Sequence, residues 1–203
     1  LKWIVLGRTK PGRYPLWGVY YFRWWFAQHL LALLHLKWFQ GSPLMRVLLR
    51  ALGARVGDDA VISEAEWGAV DLISIGNGAS IGAKVKFANA RVEGNELIIG
   101  PIVIGADAYI GTSCVIENDV VMGESAELRD LSSIPSGTHM AAAEIWDGSP
   151  ARKVSMVDLS ELPEQAQAST ARRAVQTALY TVLLFVIDRK STRLNSSHTD
   201  ISR

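Results

Sequence analysis

Four histidines, one cysteine and two close carboxylate pairs are the side chains in this 203-residue chain best suited to metal binding, nucleophilic attack or proton transfer. Their spacing supports little of that chemistry. His29 and His35 are six apart and so fall on different faces of a helix, which argues against a shared metal site. His198 lies near the end of the chain, leaving His139 as the only histidine within the repeats described below. The single Cys114 excludes an internal disulfide, and its place at a small position of a repeat points to packing rather than to a reactive thiol. Asp58 with Asp59, and Glu64 with Glu66, read as solvated corner and loop charges rather than an acid–base pair.

The elements that must carry these residues follow from one period. Ile98, Ile104, Ile110, Ile116, Met122, Leu128 and Ile134 are six apart, and the fifth place of each hexad is small or β-branched: Ala108, Cys114, Val120, Ala126, Ser132, Thr138. Self-similarity at a short fixed period signals a solenoid. Six is a multiple of two, so the large apolar residue of each hexad can point inward from a strand, and the glycine that often follows suits a corner where a side chain would clash. Three hexads make one triangular coil of an all-β solenoid, a parallel β-helix. The pattern recurs upstream as VGDDAV, IGNGAS and IGAKVK, with a poorer match at Phe87, giving four to five coils. It breaks between Trp67 and Ile73 and around Glu93 to Leu97, where loops thrown out from a corner are expected to border any active site.

The flanks differ in character. Hydrophobic residues make up 49% of the chain, and the excess lies in Tyr14 to Phe39 and Ala174 to Ile187. The first segment holds four of the seven tryptophans but is interrupted by Arg23, Gln28, His29 and His35, which suits a helix near lipid headgroups or a span packed on protein. Arg23 reads either as a functional intramembrane charge or as a side chain snorkelling to the interface. After Gly41, Ser42 and Pro43 comes PLMRVLLRALG, an amphipathic helix with Leu44, Val47, Leu48 and Ala51 on one stripe. It is placed to cap the open end of the solenoid. The second apolar segment is cut after 14 residues by DRKSTRLNSSH, which resembles one reading frame of a sequencing adapter. Residues 188–203 are therefore expected to be foreign and unstructured, and the natural chain to continue through a complete membrane helix. Because the first residue is Leu, the natural start is expected upstream.

The hexads, the preceding LLRALGARVG and the closing GSPARKV resemble the left-handed β-helix acyltransferases of the hexapeptide-repeat family. More narrowly, YPLWGVYYFRWWF followed by GSPLMRVLLRALGARVG and VDLISIGNGASIG is similar to the C-terminal modules of nonribosomal peptide synthetases of the ε-poly-lysine synthetase type. The resemblance implies transfer of an acyl group from acetyl-CoA or another acyl-CoA to a hydroxyl or amine. A histidine on a middle coil or its loop would act as base. FANARVEGNELIIG, where that histidine is expected, has none; Asn89, Arg91, Glu93 and Glu96 stand there, and His139 is left as the catalytic candidate. On the donor side the resemblance implies that Gly148, Ser149, Pro150, Ala151, Arg152 and Lys153 line the coenzyme, small residues permitting close approach and cations meeting phosphate. The other reading of that segment is a turn off the last coil with solvated cations.

The expected organisation is a linker (1–13), an aromatic membrane-associated helix with a capping helix (14–52), the β-helix (53–157), a polar linker (158–173), the start of a transmembrane helix (174–187) and the non-native tail. Basic residues beside the apolar segments (Arg8, Lys10, Arg13, Arg46, Arg50, Arg172, Arg173) would keep the β-helix on the cytoplasmic side. Expected partners are the membrane, sister β-helix modules or a homotrimer, and a carrier-bound peptide or small acceptor. A net charge of +1 gives no argument for nucleic acid. A zinc enzyme of this fold needs three histidines that the repeats lack, threonine rows for ice binding are missing, and no nucleotide-binding domain is present. Two roles stay open: a catalytically silent, membrane-tethered scaffold module assisting peptide-chain extension or module assembly, and an acyltransferase in its own right.

Overall fold

The hexads wind a parallel β-helix of five coils, the last incomplete. The computed structural model describes residues 6–32, 39–158, 171–172 and 174–183. Face one stacks β2 (Arg55–Val56), β5 (Ile73–Ile75), β10 (Ile102–Ile104), β13 (Val120–Met122) and β16 (His139–Met140). Face two stacks β3 (Val61–Ile62), β6 (Ser80–Ile81), β11 (Tyr109–Ile110), β14 (Glu127–Leu128), β17 (Glu144–Gly148) and, antiparallel to it, β18 (Ala151–Met156). Face three stacks β4 (Ala65–Trp67), β7 (Val85–Ala88), β12 (Val115–Glu117) and β15 (Ser133–Ile134).

Pairing aligns the inward residues in three columns. Val56, Ile75, Ile104, Met122 and Met140 lie in register on face one. Ile62, Ile81, Ile110, Leu128 and Trp146 do so on face two, and Trp67, Phe87, Ile116 and Ile134 on face three. Burying these columns together in one shared core drives the fold. The period thus runs past Ile134 to Met140 and Trp146. At its start, however, Ile98 leaves the register: it lies opposite Arg13 and Arg91 in a separate antiparallel sheet.

Two backbone demands repeat every six residues. The fourth residue of each hexad (Asp107, Ser113, Asp119, Ser125, Leu131, Gly137, Ala143) has positive φ, so the left-handed turn sits there and not at the glycine in second place. Glycine at second place answers close approach instead, since a Cβ on Gly76 would lie 2.4 Å from the Ala106 nitrogen of the coil below. Leu131 is a bulky residue in the left-handed region (φ 58°) with 75% of its surface exposed. Leu131→Asn is expected to raise stability by about 1 kcal/mol, because Asn tolerates that backbone and no core contact is lost. The urea midpoint measures it.

Helix α1 (Val19–Ala32) and helix α2 (Pro43–Ala51) precede the coils. α2 caps the first coil through fully buried Met45 and Leu49. The buried stripe is Met45, Leu49 and Leu52, with Leu48 partly buried, whereas Val47 and Ala51 face outward. Arg50, donating from Nε to the Val56 carbonyl at 2.7 Å, and Ala54 N to Leu49 O at 3.0 Å set this rotation.

Both breaks in the period fall at one corner, between faces three and one. The first is a short 3₁₀ turn (Val70–Leu72); the second is a hairpin of β8 (Ala90–Glu93) and β9 (Glu96–Ile99). β1 (Gly12–Pro15) adds to the other edge of β9, and Leu6 and Thr9 are buried, so residues 6–13 of the stretch expected as a linker belong to the fold. α1 covers this sheet with Tyr20, Tyr21 and Trp24 packed around Ala69, Leu97 and Ile99. No helix among the described residues is long and apolar enough to cross a membrane. Residues 174–183 are helical and mostly exposed; His35, most of the expected polar linker and the expected non-native tail lie outside the described residues.

Candidate functional site

The corner that throws out both loops is held by one side chain. Asn89 ends the second coil with no exposed surface. Its Oδ1 accepts from the Ala69 N–H at 2.8 Å, and its Nδ2 donates to the carbonyls of Ala69 at 3.0 Å and Gly100 at 3.2 Å. An amide can accept one backbone bond and donate two at once, so Asn89 ties the 3₁₀ turn to the far end of the hairpin. One coil on, Asn118 occupies the equivalent corner, buried, donating to Asp119 Oδ2 at 2.6 Å.

The charged residues of the hairpin are engaged. Arg91 bonds Glu117 of β12 through one terminal nitrogen and Glu93 at 3.1 Å through the other, while Glu117 also accepts from the Ser136 N–H at 3.1 Å. Glu96 lies 3.7 Å from Arg13 of β1. Arg91–Glu117 fastens the hairpin to the third coil, Arg91–Glu93 braces β8, and Glu96–Arg13 ties β9 to β1. His139 is elsewhere, exposed at the start of β16 and paired with Val121 on the last coil of face one.

The six donor-side candidates form the β17–β18 turn. Gly148 N donates to Ser132 Oγ at 3.0 Å, Ser149 Oγ lies 2.7 Å from Ser133 Oγ, and Ala151 is buried. Lys153 Nζ is 2.8 Å from Glu144 Oε1, and Trp146 Nε1 donates to Glu144 Oε2 at 2.9 Å. Arg152 is exposed on β18 opposite Asp147. Of the turn's polar side chains, Arg152 is exposed, Ser149 is bonded to Ser133, and Lys153 meets an anion only by giving up Glu144. The structure does not bring His139 together with this turn: the two stand at opposite edges of face three.

The lysine's ammonium, first, and the indole N–H, second, hold the Glu144 carboxyl down at about 2. A depressed carboxylate stabilises the fold above the ordinary carboxylate range, and that contribution disappears as pH falls from about 4.5 through about 2. Side-chain NMR is expected to show Glu144 titrating near 2 and moving back up in Lys153→Met. Both side chains reach solvent, so the effect on overall stability is small.

Beside the turn lies a cleft of about 400 Å³ lined by Tyr109, Glu127, Arg129, Asp130 and Asp147. Arg129 is shared between Glu127 at 4.0 Å and Asp147 at 3.8 Å, so the lining is acidic on balance. That charge repels phosphate and suits an ammonium. Behind it, Cys114 is fully buried with Sγ 3.0 Å from the Arg129 carbonyl, and burial pushes its thiol up, which makes it unreactive in the folded protein. Asp58 accepts from Arg50 at 2.8 Å and Asp59 takes a left-handed corner; Glu66 lies 3.8 Å from Lys86.

Sequence reasoning named Asn89 only as part of a stretch that lacks a histidine. A polar residue where each coil closes, Asn89 and then Asn118, was the available signal.

Among solved structures, the chain is similar to a hexapeptide-repeat acetyltransferase from Vibrio cholerae O1 biovar eltor complexed with acetyl coenzyme A. The TM-score is 0.51, with 22% identity over 60% of this chain and 82% of that one. The fold is that of the hexapeptide-repeat acetyltransferases. A second structure of the V. cholerae acetyltransferase matches at 26% identity and TM-score 0.48, over 51% of this chain and 62% of that one. No family model matches the chain. By sequence it is 38% identical over 188 residues to the Delta-poly-L-ornithine synthetase of Acinetobacter baumannii (strain AB307-0294). That alignment takes in 92% of this chain and 14% of the synthetase's length.

Proposed function

We propose that the chain is an acyltransferase-like β-helix module from the C-terminal region of a nonribosomal peptide synthetase, membrane-tethered and catalytically silent. It assists peptide-chain extension or module assembly, with the β-helix on the cytoplasmic side. The observation that carries the reading is the occupied corner: Asn89 closes it, Arg91, Glu93 and Glu96 stand in ion pairs, and the hairpin holds no histidine. The similarity to a poly-ornithine synthetase supports it, as does the acidic cleft, which suits a cationic peptide better than a coenzyme phosphate. Sister modules of the same chain, or a homotrimer, would supply the neighbours.

A second reading is an active coenzyme A-dependent O- or N-acyltransferase with His139 as base and the turn 148–153 as donor groove, favoured by exposed Arg152. Calorimetric titration of the folded protein with acetyl-CoA separates the two. The scaffold role expects no heat up to millimolar ligand. Binding that is lost in an Arg152→Ala/Lys153→Ala double variant sinks it and supports the transferase.

A further inference from the structure

The outward side of α1 does not look like a surface helix in water. Its inner side is spent on the hairpin: Tyr20, Tyr21 and Trp24 pack there, Ala27 and Leu31 are buried, and Gln28 donates to the Gly68 carbonyl at 3.3 Å. A helix so placed ordinarily turns polar residues outward. Here the outer side carries Val19, Phe22, Trp25 and Phe26, continued by Trp17 just before the helix; Trp17 is 89% and Phe22 64% exposed. Phe22 and Trp25 have ring centroids 6.2 Å apart, and Trp25 lies 4.0 Å from the exposed His29 ring.

The charge along the chain is one-sided. Residues 1–57 contain nine Lys and Arg and no Asp or Glu, whereas residues 58–158 contain six Lys and Arg against sixteen Asp and Glu. The near-zero net charge hides a cationic aromatic end joined to an acidic β-helix. A second copy docking through the same face would bring two cationic ends together, which disfavours self-association. An anionic bilayer matches both features, taking Trp and Phe at headgroup level and attracting the basic residues.

We infer that α1 lies in the plane of an anionic lipid surface, its outer aromatic side in the headgroup region and its inner side holding the β8–β9 hairpin, with the acidic coils directed away. This rests on the membrane-associated part of the function proposed above and specifies which surface meets lipid and how. α1 is fastened along one side to the module through Tyr20, Trp24, Ala27 and Leu31, so its bare side can meet a surface only broadside. The described helix therefore lies along the surface.

The test uses vesicles of 30% phosphatidylglycerol in phosphatidylcholine, compared with phosphatidylcholine alone. The full 203-residue chain is expected to float with the anionic vesicles at least tenfold better, and to lose most of that preference at high salt. Phe22→Ser/Trp25→Ser/Phe26→Ser, all outward and hence compatible with folding by circular dichroism, is expected to cut binding about tenfold or more.

Spin labels at Val19→Cys, Phe22→Cys and Phe26→Cys, in a protein whose Cys114 is buried, are expected to report equal shallow depth. A span would give a gradient of about 10 Å over the seven steps from Val19 to Phe26, and that result overturns the in-plane placement. Labels that stay in water while the protein floats also overturn it, placing the lipid contact elsewhere. So does a dimer formed without vesicles and abolished by the triple substitution. Failure of the functional reading is separate, because it is read as unchanged polymer output from a parent synthetase lacking this module.

Discussion

Asn89→Asp is expected to detach the thrown-out hairpin from the β-helix, at a cost of about 4 kcal/mol or more. The wild-type amide is fully buried and donates to two carbonyls, at 3.0 and 3.2 Å. In the variant a carboxylate oxygen faces those two carbonyl oxygens, so two donors vanish and a buried charge or a strained protonated acid takes their place. Each unsatisfied buried group costs about 1–3 kcal/mol, and a charge costs more. Asn89→Ala removes the same bonds without the charge and is expected to cost about 3 kcal/mol.

The loss should be local in its first expression. Hairpin, β1 and α1 form one packed unit around Ala69, Leu97 and Ile99, while coils three to five keep their own columns. Limited proteolysis is therefore expected to cut within residues 90–101 first, with loss of the near-ultraviolet tryptophan signal and retention of β-rich circular dichroism. A single cooperative transition with wild-type proteolysis would show that Asn89 does not hold this corner.

The second large effect is expected at Gly105→Ala, which should destabilise the β-helix by about 3 kcal/mol or more. A Cβ there would lie 2.5 Å from the Gly123 carbonyl carbon and oxygen and 2.7 Å from the Glu124 nitrogen. These are backbone atoms of the next coil and cannot rotate away, so the stack must open at a corner where paired strands keep about 4.8 Å. Gly137→Ala is the contrast. Its Cβ meets nothing within 4 Å, and its positive φ of 74° leaves only the left-handed backbone cost of about 1–2 kcal/mol. Denaturant unfolding of the two variants side by side separates close approach from backbone conformation; equal losses would remove the distinction.

The period of six, its inward residues and the capping role of PLMRVLLRALG were legible because each is a local statement. Apolar side chains every six residues can be buried together only if strands repeat in register, and a short helix before the first strand has one uncovered end to meet. The rotation of that helix was not legible: two stripes compete on it, and Arg50 reaching the Val56 carbonyl decides for Met45 and Leu49. Ile98 looked like a hexad residue because spacing alone does not tell a coil strand from a hairpin strand; pairing with Arg13, 85 residues earlier in the chain, does.

What the sequence by itself determined, then, is the solenoid, its small fifth positions and the lack of a histidine in the thrown-out loop, all of them properties of residue type and short-range order. Only the tertiary structure decided that both breaks meet at one corner, that Asn89 closes it, and that the charged hairpin residues are already paired. It also decided that α1 spends one side on the hairpin and leaves the other bare. The reason is physical: hydrogen bonds and burial at that corner join residues 12–32, 68–72 and 89–101, and contacts between segments so far apart leave no periodic trace in the chain.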